Sequence, residues 1–166
     1  MTQKQQPEND SVLWNKLFES EMSFMKARQD FLLDSIDSVA MVKKVLENAG
    51  PTERGTALRL LEYLEVEELQ KLFEPLLNLA SVSHGDIGLV REAIHTLPRE
   101  WVLSNIEKSA EPLLQNGTDE EYRRLLELYI EFDRDLTYRL AERALRSDDE
   151  DIRAAGEDAM KWLKNE

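Results

Sequence analysis

Residues 147–166 read SDDEDIRAAGEDAMKWLKNE, and the role of Arg153 in this stretch decides how the rest of the chain is understood. An acidic turn, Ser147 to Asp151, leads into Ile152 and Arg153, and small residues follow at Ala154, Ala155, Gly156 and Ala159. Carboxylates are favoured at a helix start by the positive end of the helix dipole, whereas a cation there is unfavourable without an anionic partner. Arg153 could hold a phosphate, pair with a carboxylate or face water. The choice depends on whether the pattern recurs.

It recurs three times. An apolar or aromatic residue followed by arginine stands at Leu58-Arg59, Val90-Arg91, Tyr122-Arg123 and Ile152-Arg153, in steps of 32, 32 and 30 residues. Three positions after each apolar member comes another small or apolar residue: Leu61, Ala93, Leu125 and Ala155. An acidic residue precedes each arginine by four to six positions, at Glu53, Asp86, Asp119 and Asp148 or Asp149. The intervening segments echo one another as well, with EPLL at 74–77, EPLL at 111–114 and ERAL at 142–145. A fixed period of this length indicates an array of supersecondary units stacked on one another.

These residues resemble the HEAT-repeat family in its short-repeat form. DEDIRAAGEDAMKWL is similar to that family's helix start, HGDIGLVREAIHTL is a second match, and PTERGTALRLLEYL and TDEEYRRLLELYIEF are looser ones. The resemblance covers about residues 51–166; Ala27-Arg28, 31 residues before Leu58-Arg59, is at most a degenerate echo. It implies a right-handed α-solenoid in which each hairpin covers the apolar face of its neighbour. It also implies a ladder of Asp/Glu–Arg contacts between repeats, which gives Arg59, Arg91, Arg123 and Arg153 a structural role. The acid in the preceding turn is the expected partner of each, within its own repeat or the next.

Periodicity elsewhere carries the same all-α reading. Residues 1–10 read as a disordered tail. Residues 11–166 form a single helical domain, with 11–50 as an N-terminal cap and 51–166 as the repeats. Leu13, Trp14, Leu17, Phe18, Phe24, Met25, Phe31 and Leu32 predict one long helix over 11–33. DSIDS offers caps for a second helix. Gly50 suits the left-handed position after that helix, and Pro51 suits the first turn of the next. Leu97-Pro98 ends a further helix, and Thr118 with Glu121 predicts a capping box after Asn116-Gly117. Nine helices in all are expected, with no strand.

Composition narrows the function. With no cysteine among 166 residues, disulfides, thiolate catalysis and thiolate zinc sites are excluded. No apolar run reaches membrane-spanning length, and the N-terminus lacks a signal-peptide core. The cytoplasm is the expected compartment. A net charge of −13, spread as −2, −5 and −6 over residues 1–50, 51–118 and 119–166, disfavours nucleic acid and anionic lipid and favours basic partners.

No catalytic, cofactor or metal residue is nominated. His84 falls in a predicted loop and His95 on a predicted helix, without a nucleophile that the sequence can assign to either. The acidic run before Arg153 lacks the alternating ligands and glycine of a calcium loop. Core placement is the default for Trp14, Trp101 and Trp162, with Trp162 the best placed to be an exposed anchor. The HEAT resemblance implies that the helices opened by the apolar-Arg pairs line a concave side, where Glu62, Glu92, His95, Glu127 and Glu131 are the candidate partner-binding residues. The expectation is a non-catalytic adaptor, scaffold or neutralising partner that receives a basic protein or peptide, monomeric or homodimeric, with no cofactor. Two alternatives stay open: a non-nucleophilic subunit of a lyase-like enzyme, and a structural homodimer formed through the N-terminal helix.

Overall fold

A computed structural model describes residues 5–165, and these are all-helical: ten α-helices and one 3-10 turn, with no strand among them. In chain order the helices are α1 (Gln5–Asp34), α2 (Ser38–Asn48), α3 (Pro51–Leu60), α4 (Val66–Lys71), α5 (Phe73–Ala80), α6 (Ile87–Thr96), α7 (Arg99–Gln115), α8 (Asp119–Phe132), α9 (Arg134–Leu145) and α10 (Glu150–Asn165). The 3-10 turn, Leu61–Tyr63, tightens the end of α3. No helix among the described residues is long and apolar enough to cross a membrane.

Two boundaries differ from the periodicity. Apolar spacing in EVEELQKLFEPLLNLASV predicts one helix over 65–82, and the chain breaks it at Leu72, which has φ −96° and ψ 1°. Pro75 accounts for the break. In a continuous helix its ring would meet the carbonyl of Lys71, whereas at the third position of α5 its missing N–H is no loss. Leu72 and Phe73 are both buried at the elbow. At the other boundary, α1 begins at Gln5, so residues 5–10 of the expected tail are helical. Their polar sequence carries no periodic signal. The remainder of that tail, residues 1–4, lies outside the described residues.

The punctuation follows local chemistry. Asp37 Oδ1 accepts the Ala40 N–H at 2.9 Å and caps α2. Thr118 and Glu121 form the reciprocal capping box at the start of α8, and α6 stops at Thr96 before Leu97-Pro98. Gly50 departs from expectation: at φ −70° and ψ 169° it is extended and serves as the N-cap of α3, with Pro51 at the first helical position. The turn is made without a left-handed residue, and no described glycine has positive φ.

The chain divides into two units at Met41/Val42, so the expected cap over 11–50 belongs to both. The first unit is dominated by α1, whose large apolar residues are exposed from Val12 to Met25 and again at Leu33. The second contains the core. Val42 and Leu46 of α2 are buried, and α3 packs on α6, α5 on α6, α7 and α8, α7 on α8, and α8 and α9 on α10. Leu76, Ile94, Val102, Ile106, Leu125, Leu128, Tyr129 and Leu136 are almost wholly excluded from solvent. Each such aliphatic side chain stabilises the fold by about 1.5–3 kcal/mol relative to exposure.

Small residues set the closest helix approach. Ala155, Gly156 and Ala159 of α10 are all buried. A Cβ on Gly156 would come within 2.9 Å of both the Ala141 carbonyl oxygen and the Ala144 Cβ of α9. Ala155 and Ala159 are legible from sequence as small positions. The contact at Gly156 is visible only once α9 is in place.

Candidate functional site

The four repeat arginines fall into different settings. Arg91 is the fifth residue of α6, and it bridges to α8 by donating to Glu127 Oε2 at 2.8 Å and Glu131 Oε1 at 3.3 Å. Arg123, fifth in α8, donates to Asp119 in its own first turn at 3.4 Å and to Asp158 of α10 at 3.5 Å. Arg153, fourth in α10, donates instead to the Ser147 carbonyl oxygen at 2.8 Å and ties down the turn before its own helix. Arg59 lies in the last turn of α3 rather than near a start, where a cation is compatible with the helix dipole. Its polar contact among the described residues is Thr56 Oγ1, at 3.4 Å.

Arg123 keeps the partner the sequence suggested, Asp119, and adds Asp158 of α10, whereas Arg91 departs from it. Arg91 uses carboxylates about two and three turns into α8, not Asp86 behind it. A side chain as long as arginine's leans across to the neighbouring helix, and on that helix Glu127 and Glu131 are one turn apart on one face.

A second ladder joins α7 to α9. Arg139 donates to Glu107 at 2.8 and 2.9 Å in a two-pronged contact, and Arg143 donates to both oxygens of Glu111 and to Tyr122 Oη. Each of these acid–arginine pairs is 32 residues apart, which equals the repeat period. The Arg143 guanidinium holds the Glu111 carboxyl below the usual carboxylate range, outweighing the cost of its burial. A third rung binds helix ends. Arg99, the first residue of α7, donates to the Phe132 carbonyl oxygen at 2.9 Å and to Asp133 at 3.1 Å. Arg134, the first of α9, donates to the Leu163 carbonyl oxygen near the end of α10. Both place a cation at a helix C-terminus, its favourable end. Searching for an acid 32 residues before an arginine would have found the α7–α9 ladder.

The five candidate binding residues divide into two groups. Glu127, Glu131 and His95 are committed to one another's neighbourhood. His95 Nε2–H donates to Glu131 Oε2 at 2.6 Å, its ring stacks on Phe132 at 4.4 Å with planes 8° apart, and Glu127 also accepts from Arg124 at 2.7 Å. The Glu131 carboxylate orients the imidazole. His84 is likewise held in a turn, with Nε2–H donating to the Leu79 carbonyl oxygen at 3.0 Å and Nδ1 accepting the Asp86 N–H at 3.2 Å.

Glu62 and Glu92 make no ion pair among the described residues. Both line a cleft of about 210 Å³ between α3 with its 3-10 turn and α6. Leu58, Leu61, Leu89 and Ala93 supply apolar wall, and Arg59 and Thr96 line it as well. Pockets for small molecules usually run to about 300–1,000 Å³, so this one is scaled to a single side chain. No group of three or more His, Asp or Glu among the described residues is placed to hold a metal ion.

The tryptophans also sort themselves. Trp101 is half-buried and meets Phe73 of α5 edge-on at 5.1 Å. Trp162 is half-buried, and Trp14 is the exposed one at 66%. Core placement, the default for all three, fails at Trp14, while Trp162, the best placed of them to be exposed, is half-buried because its apolar neighbours on α10 turn inward.

No family model, curated protein or solved structure matches this chain.

Proposed function

We propose that the chain is a non-catalytic binding module, a short right-handed α-solenoid of HEAT-like hairpins that receives a basic protein or peptide. The solenoid reading rests on the recurrence of Arg-centred contacts between helices one repeat apart, together with the 30- to 32-residue period. The binding reading is carried by one observation: Glu62 and Glu92 stand outside the ladders, beside an apolar cleft of side-chain size. A lysine or arginine from a partner would lay its aliphatic stem on Leu58, Leu61, Leu89 and Ala93 and present its charge to the two carboxylates. Glu127 and Glu131 leave this role, because Arg91 and Arg124 already pair with them and His95 donates to Glu131. Acidic charge over the rest of the surface would speed encounter rather than fix the site.

The test is a titration of fluorescently labelled peptides, a basic–apolar one and its acidic counterpart, at low and high salt. The expected result is binding of the basic peptide alone, weakened by salt. Replacing Glu62 and Glu92 by Gln together should remove most of it, whereas replacing Glu100 and Glu157, which lie outside this cleft, should not. Equal losses from the two double variants would reduce the effect to overall charge and sink the proposed site.

A further inference from the structure

α1 carries its own recognition pattern, independent of the cleft. Its apolar residues recur as adjacent pairs every seven positions: Leu17-Phe18, Phe24-Met25 and Phe31-Leu32. At about 100° per residue these form one stripe, with Leu17, Phe24 and Phe31 along one edge and Phe18 and Met25 along the other. Trp14, Glu21 and Arg28 run down the middle of that stripe. Leu17, Phe18 and Met25 are 61%, 56% and 43% exposed, while Phe31, Leu32 and Arg28 are half-buried, Arg28 with its guanidinium 5.9 Å from the Phe24 ring centroid.

Two features identify what covers it. First, the stripe is palindromic about the point between Phe24 and Met25: reversing the helix sets Leu17 against Leu32, Phe18 against Phe31 and Phe24 against Met25. Second, the charges within it obey the same reversal, since Glu21 then falls opposite Arg28. In a parallel pairing Glu21 would face Glu21 and Arg28 would face Arg28, two like-charge contacts inside an apolar seam. A bilayer suits the face poorly, because α1 holds six acidic residues against three basic ones. We infer that α1 pairs with α1 of a second copy, antiparallel, about a two-fold axis between Phe24 and Met25. The seam from Leu17 to Leu32 spans about 22 Å, and this isologous contact makes a closed dimer.

The absence of native cysteine makes the register directly testable on the full chain. Leu17→Cys and Leu32→Cys are made separately and oxidised alone or mixed, and the mass in solution is measured by light scattering. The expected results are a particle of twice 19.3 kDa and a disulfide-linked dimer in the mixture but in neither variant alone. Glu21→Arg should weaken the dimer about tenfold or more, and adding Arg28→Glu to it should restore association. Circular dichroism confirms that each variant keeps its helices. A monomeric wild type, cross-linking of each variant with itself, or failure of the double charge swap to rescue would overturn the proposal. So would a monomer that co-sediments with phosphatidylserine vesicles, which would assign the face to lipid. None of these outcomes bears on the Glu62–Glu92 cleft, which is judged by peptide binding alone.

Discussion

α1 and α8 have similar kinds of residue and opposite fates. α1 holds Leu17, Phe18, Phe24 and Met25 in exposed positions, while α8 buries Tyr122, Leu125, Leu126, Leu128, Tyr129 and Phe132. The difference lies in partners rather than hydrophobicity. α8 has apolar neighbours in α5, α7, α9 and α10 and is flanked by ion-pair rungs that set its register. None of residues 9–34 of α1 belongs to the buried core, although apolar pairs recur along it every seven residues. Apolar periodicity thus marks a helix face that can be covered, and the covering surface has to be found separately.

The strongest way to break this contrast is to truncate one side chain in each region. Leu125→Ala should destabilise the second unit by about 2–5 kcal/mol, through lost burial and the cavity left behind. Leu17→Ala should change the chemical-denaturation midpoint of that unit very little while weakening self-association. Equal effects on stability would show that α1 belongs to the same core. The next largest effect is expected at the α9–α10 contact. Gly156→Ala forces a methyl against Ala141 and Ala144 and should cost about 1–3 kcal/mol in denaturant unfolding.

Tyr129 sharpens the contrast in the opposite direction. Its hydroxyl is buried with no hydrogen-bond partner among the described residues, and burial pushes its pKa well above the usual value. Tyr129→Phe should therefore stabilise the second unit by about 1 kcal/mol. Because the folded pKa is raised, the neutral phenol's contribution is complete below about pH 10 and is lost as pH rises toward the folded value. The variant should lack that alkaline loss, as followed by circular dichroism.

The smallest expected effect concerns the ladders. Glu111 is held low by Arg143, and Asp133 by the Leu136 N–H ahead of Arg99. In Glu121 the hydrogen bonds of the Thr118 cap outweigh a burial that would raise it. For carboxyls with depressed folded pKa values, the stabilisation is present above the unfolded value of about 4 and is lost as pH falls through the folded one. Acid unfolding should begin below about pH 4, and Glu111→Gln should flatten its first part. At neutral pH that variant should cost less than about 1 kcal/mol, because the pair remains largely open to water.

Helix type, most helix ends and the repeat period were legible in the sequence, because each depends on neighbours along the chain. Pro51, Asp37, the Thr118–Glu121 box and Leu97-Pro98 act over a few residues, and apolar spacing declares a helical face wherever it occurs. Tertiary structure alone decided which charges are spent and which remain. Glu62, Glu92, Glu127 and Glu131 look alike in sequence, yet two of them meet Arg91 across a helix interface and two border an apolar cleft. The same holds for Trp14 and Trp162, and for Gly156 among its alanine neighbours. Ion pairing and burial depend on distances between residues more than 30 positions apart in the chain, and those distances exist only once the helices have packed.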